Sequence, residues 1–334
     1  MLDNVIKGSV GALLAGFVGW IIAIAVTSGA GPVIETLIGG LLVGVLYSLV
    51  ALGVVLIFKA SGVFNYAQGA MVLFAALAVA RLSERMPLWL AIILAIGIMV
   101  LLAYAIEFLV LRRLVNQEQI ILFMATIGIT FFMDGFGQTV WGSDIYKINL
   151  GLPKNPIFIL ESVFPGGLLI DPADVIAAVI CGVLVIALAL FFQYTRVGRA
   201  LRAVADDHQA AQSVGIPLNT IWLLVWTVAG IVALVTGVIW GNKLGVQFSL
   251  SLVALKALPV LILGGFTSIP GAIVGGLIIG AGEKLMEVVI GPTLVKMFDL
   301  AGGGFENWFA YVLALLFLLI RPQGLFGDKI IERI

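Results

Sequence analysis

The side chains best suited to bind a small polar solute lie together in the stretch SGVFNYAQGAM, from Ser61 to Met71. Glycines flank two amides and a tyrosine here, at the point where the chain should enter an apolar run. Amide groups can exchange hydrogen bonds with a passing solute or with backbone groups that have left a helix inside a membrane. The stretch therefore predicts a solute path at Asn65, Tyr66, Gln68 and Gly69. The alternative is a polar turn at the membrane surface that is anchored by its tyrosine.

A second polar stretch, RVGRALRAVADDHQAAQSVGIP from Arg196 to Pro217, lies between two apolar runs. Its arginines recur every third residue and share one face of a helix, while aliphatic residues cover another face. These arginines are Arg196, Arg199 and Arg202. The following QAAQSVG predicts a short, small-faced helix that ends in a tight turn. Such a segment either lies on anionic lipid or docks its turn into a cleft of a partner.

Other kinds of chemistry lack the residues that they need. The chain has one histidine and one cysteine, which excludes a histidine-rich metal site, a thiolate cluster and an internal disulfide. The sequence contains no Gly-Lys pair, so the turn GGFTSIPG that begins at Gly264 is not a P-loop that binds ATP. We therefore expect no enzyme activity, no metal and no cofactor bound by this chain.

Acidic residues within or beside the apolar runs are few. A proton-coupled carrier is expected to show an acidic or histidine relay at mid-span. The acidic residues are instead assigned to positions at or near the ends of the predicted spans: Glu35, Glu107, Asp134, Glu283 and Glu287. Glu283 is the best relay candidate, but the adjacent Lys284 and the nearby Glu287 favour a local ion pair or a helix end that faces the lumen.

The elements that must position these residues are membrane helices. Of the 334 residues 62% are hydrophobic and 11% are charged, against about 25% charged in a soluble domain, so the chain is an integral membrane protein. Its net charge of zero argues against a nucleic-acid partner. Ten apolar segments are predicted: 9–27, 36–58, 66–80, 88–111, 120–140, 175–194, 219–242, 247–265, 270–290 and 307–320. We expect an all-α polytopic fold, one transmembrane domain over residues 1–334, with about eight to ten spanning helices, some of them broken.

Two patterns indicate how these helices are arranged. Glycines four residues apart predict close helix packing, and they are Gly271, Gly275, Gly276 and Gly280. In addition, GVVLIFKASGVFNYAQG from Gly53 resembles GVIWGNKLGVQFSLS from Gly237, each with a lysine six residues after its first glycine. The Lys and Arg distribution places both termini in the cytoplasm and gives the two matched segments opposite orientations. An inverted repeat, whose interrupted segments flank the solute path, is therefore a hypothesis.

Four ordered motifs resemble one known family. GVFNYAQGAM, TRVGRALRAVADDHQAAQSVGI, LPVLILGGFTSIPGAIVGGLIIG and RPQGLFG are similar to the permeases of branched-chain amino acid ABC importers, most of all to the first of their two permeases. The resemblance covers roughly residues 36–330. QAAQSVG is similar to the family's coupling motif, in which Gln209 replaces a glutamate while Ala210, Ala211 and Gly215 match. Ala70 stands where the family often carries an acidic residue.

The resemblance implies a transport function and a set of partners. It implies that this chain forms the solute path with a second homologous permease, that two ATPase subunits bind ATP, and that a periplasmic binding protein delivers an amino acid or similar small polar solute. It places the protein in a bacterial inner membrane. It assigns residues 196–217 to a cytoplasmic coupling helix that meets the ATPase through Arg199, Arg202, Gln209, Ala210, Ala211 and Gly215. A gradient-driven secondary carrier or a channel is the alternative function.

Overall fold

The computed structural model describes residue 19 and residues 29–114, 117–153, 155–164, 167–206, 208–299 and 303–327. Except for Gly19, the first predicted span at 9–27 lies outside the described residues, as does the C-terminal segment 328–334. The helices are α1 Ala30–Ser61, α2 Gln68–Ser83, α3 Leu88–Leu109, α4 Gln119–Trp141, α5 Pro172–Tyr194, α6 Arg196–Asp206, α7 His208–Ser213, α8 Leu218–Leu244, α9 Val253–Gly264, α10 Ile269–Leu285, α11 Gly291–Phe298 and α12 Phe305–Ile320. Each of the other nine predicted apolar segments forms a helix at the expected place.

Within the described residues, five helices are long and apolar enough to cross a membrane: α1, α3 with its following 3₁₀ turn, α4, α5 and α8. The helical stretches Phe248–Gly264 and Ile269–Phe298 meet at an angle of 114° and would supply a sixth span as a broken pair. Helices α2 and α12 are apolar but have 16 residues each, which is short for a bilayer core of about 30 Å. The fold is therefore an all-α polytopic membrane protein with broken helices, as the sequence predicts.

The chain divides into two compact units. The first contains the described residues within Met1–Ser48, Leu152–Gly182 and Leu258–Ile334, and the second contains Leu49–Gly151 and Val183–Ala257.

In the first unit, helices α1 and α10 pack with their backbones in near contact. A Cβ atom added to Gly44 would lie 2.7 Å from the carbonyl oxygen of Gly276, and one added to Gly280 would overlap the backbone of Gly44. The Ser48 hydroxyl donates to the carbonyl oxygen of Ile273 across this contact, at 3.1 Å. The glycine pattern thus serves close helix packing, as predicted.

Two acidic residues of α10 and the turn after it have polar partners within the first unit. The Tyr47 hydroxyl donates to Glu283 Oε2 at 2.8 Å, and Lys284 forms an ion pair with Glu287 at 2.6 Å. The predicted ion pair is confirmed, although it joins Lys284 to Glu287, while the buried Glu283 binds a tyrosine.

The same unit also holds a small β-hairpin that the sequence analysis did not predict. Strands β1 Ile157–Ile159 and β2 Leu168–Ile170 pair antiparallel within the polar loop between α4 and α5. The backbone amide of Leu169 donates to Glu35 Oε2 at 2.9 Å, which ties the hairpin to the first turns of α1. Three-residue strands are too short to leave a clear alternation in the sequence.

In the second unit, α2 forms the centre of the packing. All of its residues from Gln68 to Ala80 are buried. Its neighbour α8 approaches closely because Gly237 lies against the backbone at Val72. A helix that is apolar on every side lies either in the core of a protein or against lipid, and α2 lies in the core of this unit.

Candidate functional site

The candidate site lies in the second unit, where the chain is interrupted between α1 and α2. Helix α1 ends at Ser61, and Gly62 follows with a φ of +70°, a conformation that favours glycine. The backbone is then non-helical until α2 begins at Gln68. Because this segment leaves its backbone groups without helical partners, other groups must satisfy them inside the membrane.

The amide side chains of the interrupted segment hold its backbone in place. Asn65 Oδ1 accepts a hydrogen bond from the Ala67 amide at 3.1 Å, and Asn65 Nδ2 donates to Gln68 Oε1 at 3.3 Å. Gln68 Nε2 in turn donates to the carbonyl oxygen of Ala229 on α8, at 3.3 Å. The side chains of Asn65 and Gln68 are 1% and 0% exposed. In this arrangement both amides are engaged within the protein.

A threonine of α4 completes this support. Thr126 Oγ1 accepts a hydrogen bond from the Tyr66 amide at 3.2 Å and itself donates to the carbonyl oxygen of Phe123 at 2.8 Å. Its hydroxyl also lies 3.4 Å from the carbonyl oxygen of Phe64. Helix α4 is therefore fastened to the interrupted segment at Phe64 and Tyr66.

A cavity of about 190 Å³ lies beside the interruption. It is smaller than the roughly 300–1,000 Å³ of sites for drug-sized ligands, so its volume suits a small solute. Its lining comes from the interrupted segment and α2, from α4, and from the junction between a 3₁₀ turn and α9. The lining residues are Phe64, Tyr66, Ala70, Thr130, Phe131, Asp134, Ser251, Leu252, Ala254 and Leu255.

The four predicted solute-path residues have different positions around this cavity. Tyr66 lines it and is 37% exposed, whereas Asn65 and Gln68 are buried behind it in the hydrogen bonds described above. Gly69 serves packing, because a Cβ atom there would overlap the carbonyl oxygen of Ser251. The absence of a side chain at Gly69 allows the 3₁₀ turn Phe248–Leu252 to rest on the first turn of α2.

Asp134 is a charged residue of the cavity that the sequence analysis did not assign to the solute path. It was placed near the end of a span, but it lies about two turns before α4 ends at Trp141. Its Oδ1 atom is buried and has no hydrogen-bond partner within the described part of the chain. The sequence did carry a signal for this position. Asp134 is a carboxylate within the apolar run 120–140, and it follows Thr130 by four residues, which places both on one face of a helix.

The second of the two matched segments has a similar local structure. Helix α8 carries Lys243 in its last turn as α1 carries Lys59, and Gly245 follows with a φ of +82°. A 3₁₀ turn then leads into α9. Both segments therefore consist of a helix, a glycine turn and a second helix, and this similarity supports the inverted-repeat hypothesis.

The directions of α1 and α8 also support that hypothesis. Near the end of α1, the carbonyl oxygen of Ala60 accepts a hydrogen bond from Trp222 Nε1 near the start of α8, at 3.1 Å. Earlier in α1, Gly53 lies against Val232, which comes later in α8. The two helices therefore run antiparallel, as opposite membrane orientations require.

The predicted coupling segment, residues 196–217, forms α6, α7 and the turn that follows, and α6 is amphipathic as expected. Its buried face carries Leu201 and Val204, while its three arginines are exposed. Two of these arginines cap α5: Arg202 donates to the carbonyl oxygens of Phe192 and Gln193 at 2.8 and 3.3 Å, and Arg199 donates to that of Tyr194 at 3.3 Å. The last carbonyls of a helix lack partners within it, and cations are favoured at this end.

The turn after α7 presents an exposed apolar tip. Helix α7 is followed by Gly215, whose φ is +86°, and the Ile216 amide donates to the carbonyl oxygen of Ala211 at 3.0 Å. Ala211 is buried, whereas Val214 is 75% exposed. Ala210 is exposed, and the side chain of Gln209 lies outside the described residues. The tight turn that QAAQSVG predicts is therefore present.

Comparisons with known proteins agree with this arrangement. Residues 36–321 match the family described as branched-chain amino acid transport system, permease component. The chain is 29% identical to the high-affinity branched-chain amino acid transport system permease protein BraD of Pseudomonas aeruginosa, over 90% of this chain and 98% of that protein. It is 26% identical to the permease protein LivH of Salmonella typhimurium, over 90% and 97% of the two chains. A probable LivH of Methanocaldococcus jannaschii is 28% identical, over 86% and 91%.

Proposed function

Since this chain belongs to the family of branched-chain amino acid transport system permease components, we propose that it is a permease subunit of an ATP-driven importer. In this function it forms the translocation path for an amino acid of the branched-chain type or a similar small polar solute. The observation that carries the proposal is the cavity of about 190 Å³ at the interruption between α1 and α2. In transporters with inverted repeats, such interruptions are where substrates bind.

The proposed importer needs partners that supply energy and deliver the solute. A second homologous permease completes the path, two ATPase subunits bind and hydrolyse ATP, and a periplasmic binding protein delivers the solute. The complex lies in a bacterial inner membrane with both termini of this chain in the cytoplasm. The ATPase docks on the turn formed by α7 and Gly215, because Val214 offers an exposed apolar tip there.

A gradient-driven secondary carrier is the second candidate function. The antiparallel course of α1 and α8 favours it, because inverted repeats are common among secondary transporters. The two functions differ in their energy source, since a carrier would transport the solute under a proton or sodium gradient without any ATPase.

Co-purification from the native membrane in mild detergent tests the proposal. We expect the tagged chain to bring down a stoichiometric P-loop ATPase and a second permease. Liposomes containing that complex should then accumulate solute with ATP and the binding protein, and they should not do so with an ion gradient alone. A chain that purifies alone and transports under a gradient would contradict the importer function.

A further inference from the structure

The carboxylate of Asp134 has an unusual position for a charged group. Its Oδ1 atom is buried without a hydrogen-bond partner in the described part of the chain, and the residue lines the cavity beside the interruption. Of the ten described residues that line this cavity, Asp134 is the only carboxylate and none is basic. Burying an unpaired carboxylate oxygen is costly, so a partner for it is expected from outside the described part of the chain.

Two hydroxyl groups of the cavity can act toward a ligand only as acceptors. Thr130 Oγ1 donates its proton to the carbonyl oxygen of Thr126 at 2.9 Å, and Ser251 Oγ donates its proton to that of Phe248 at 2.8 Å. Each hydroxyl has a single proton and keeps lone pairs for a ligand. With Asp134, these two residues give the cavity three acceptor groups and a negative charge.

A ligand that complements these three acceptor groups and the negative charge is a cation with several hydrogen-bond donors. An ammonium group carries one positive charge and three N–H donors, which matches one carboxylate and two hydroxyl acceptors. The remaining lining is largely apolar, with Phe131, Leu252 and Leu255 among its residues. An α-amino acid with an aliphatic side chain combines these two requirements.

We propose that this cavity binds the ammonium group of the transported solute, with Asp134 as its counter-charge and the hydroxyls of Thr130 and Ser251 as further acceptors. The assignment rests on the importer function proposed above. Ala70 lines the same cavity from α2, so its methyl group and the Asp134 carboxylate share one space. A carboxylate moved from α4 to position 70 should therefore reach the same ammonium group.

The test is ATP-driven uptake of labelled leucine, isoleucine and valine by the importer reconstituted with its co-purified partners and binding protein. Asp134→Asn keeps an acceptor oxygen but removes the negative charge that pairs with the ammonium group, so it should lower uptake about 10- to 150-fold. Asp134→Glu should retain much of the activity. Adding Ala70→Asp to Asp134→Asn should restore uptake several-fold, which a purely structural role for Asp134 would not allow. Glu84→Gln is the matched control, because it neutralises an exposed carboxylate that pairs with Arg81.

The outcomes separate this assignment from the importer function. Wild-type liposomes that accumulate none of the three amino acids would overturn the proposed function. Wild-type liposomes that accumulate them while Asp134→Asn matches the wild type would overturn the cavity assignment alone. A free sodium or potassium ion, like an ammonium group, binds to carboxylate and hydroxyl oxygens. Wild-type uptake that stops when choline replaces both metal ions would assign the cavity to the metal ion and also overturn the proposal.

Discussion

Replacing Gln68 by leucine tests whether its amide supports the fold or contacts the solute. The side chain is 0% exposed and joins Asn65 to the carbonyl oxygen of Ala229. Leucine keeps a similar volume but makes neither hydrogen bond. Asn65 Nδ2 would lose its oxygen acceptor and keep only Met71 Sδ at 3.9 Å, at a cost of about 1–3 kcal/mol, and the lost bond to Ala229 would add about 1 kcal/mol. Side-chain hydrogen bonds between membrane helices average about 0.6 kcal/mol. We therefore expect the total loss in the free energy of unfolding to lie near the lower end of the summed costs, at about 2 kcal/mol.

Thermal unfolding of the purified complex in detergent measures this effect. Gln68→Leu should lower the midpoint temperature, and Asn65→Ala should lower it too. Because the two changes break a shared contact, the double variant should lose less stability than the sum of the single losses. Gln138→Leu is the control, since Gln138 is an exposed glutamine on α4 and should leave the midpoint nearly unchanged. Full thermal stability of Gln68→Leu with a selective loss of uptake would refute the reasoning and show that this amide faces the solute.

Three further substitutions test other contacts. Gly69→Ala should destabilise the protein by about 1–3 kcal/mol in thermal unfolding, because its methyl group would overlap the carbonyl oxygen of Ser251, whereas Gly97→Ala, with open space around it, should not. Arg202→Gln should lower the stability by about 1 kcal/mol through the loss of its charge-assisted bonds to the end of α5, and an unchanged midpoint temperature would contradict the capping role. Gly215→Arg should leave the complex assembled but reduce the coupling of ATP hydrolysis to uptake, and wild-type uptake would place the docking turn elsewhere.

The helices and the family could be predicted because each is indicated by long stretches of the sequence. Runs of about twenty apolar residues determine where helices can form, and the bounds of α4 and α8 differ from the predicted runs by one or two residues. The amphipathic helix α6 was equally clear, because three arginines at regular spacing leave few alternatives to such a helix.

The roles of single polar residues were harder to predict. Asn65 and Gln68 are chemically suited both to bind a solute and to satisfy a broken backbone, and only their burial and partners favour the second role. Asp134 was assigned to the end of a span, because a linear sequence does not show that α2 and the start of α9 enclose it. Likewise, the sequence does not show that Ala70, which stands where the resembled family often has an acidic residue, lines the same cavity as Asp134.

The junction between α5 and α6 has a mechanical consequence. A single residue, Thr195, separates the two helices, and three hydrogen bonds from Arg199 and Arg202 cross the joint. The backbone at Gly198 also presses against Phe192, which leaves no room for the corner to fold further. These contacts make the junction between α5 and α6 rigid. A force applied to α6 would therefore turn the end of α5 together with it, and little of the displacement would be lost at the junction.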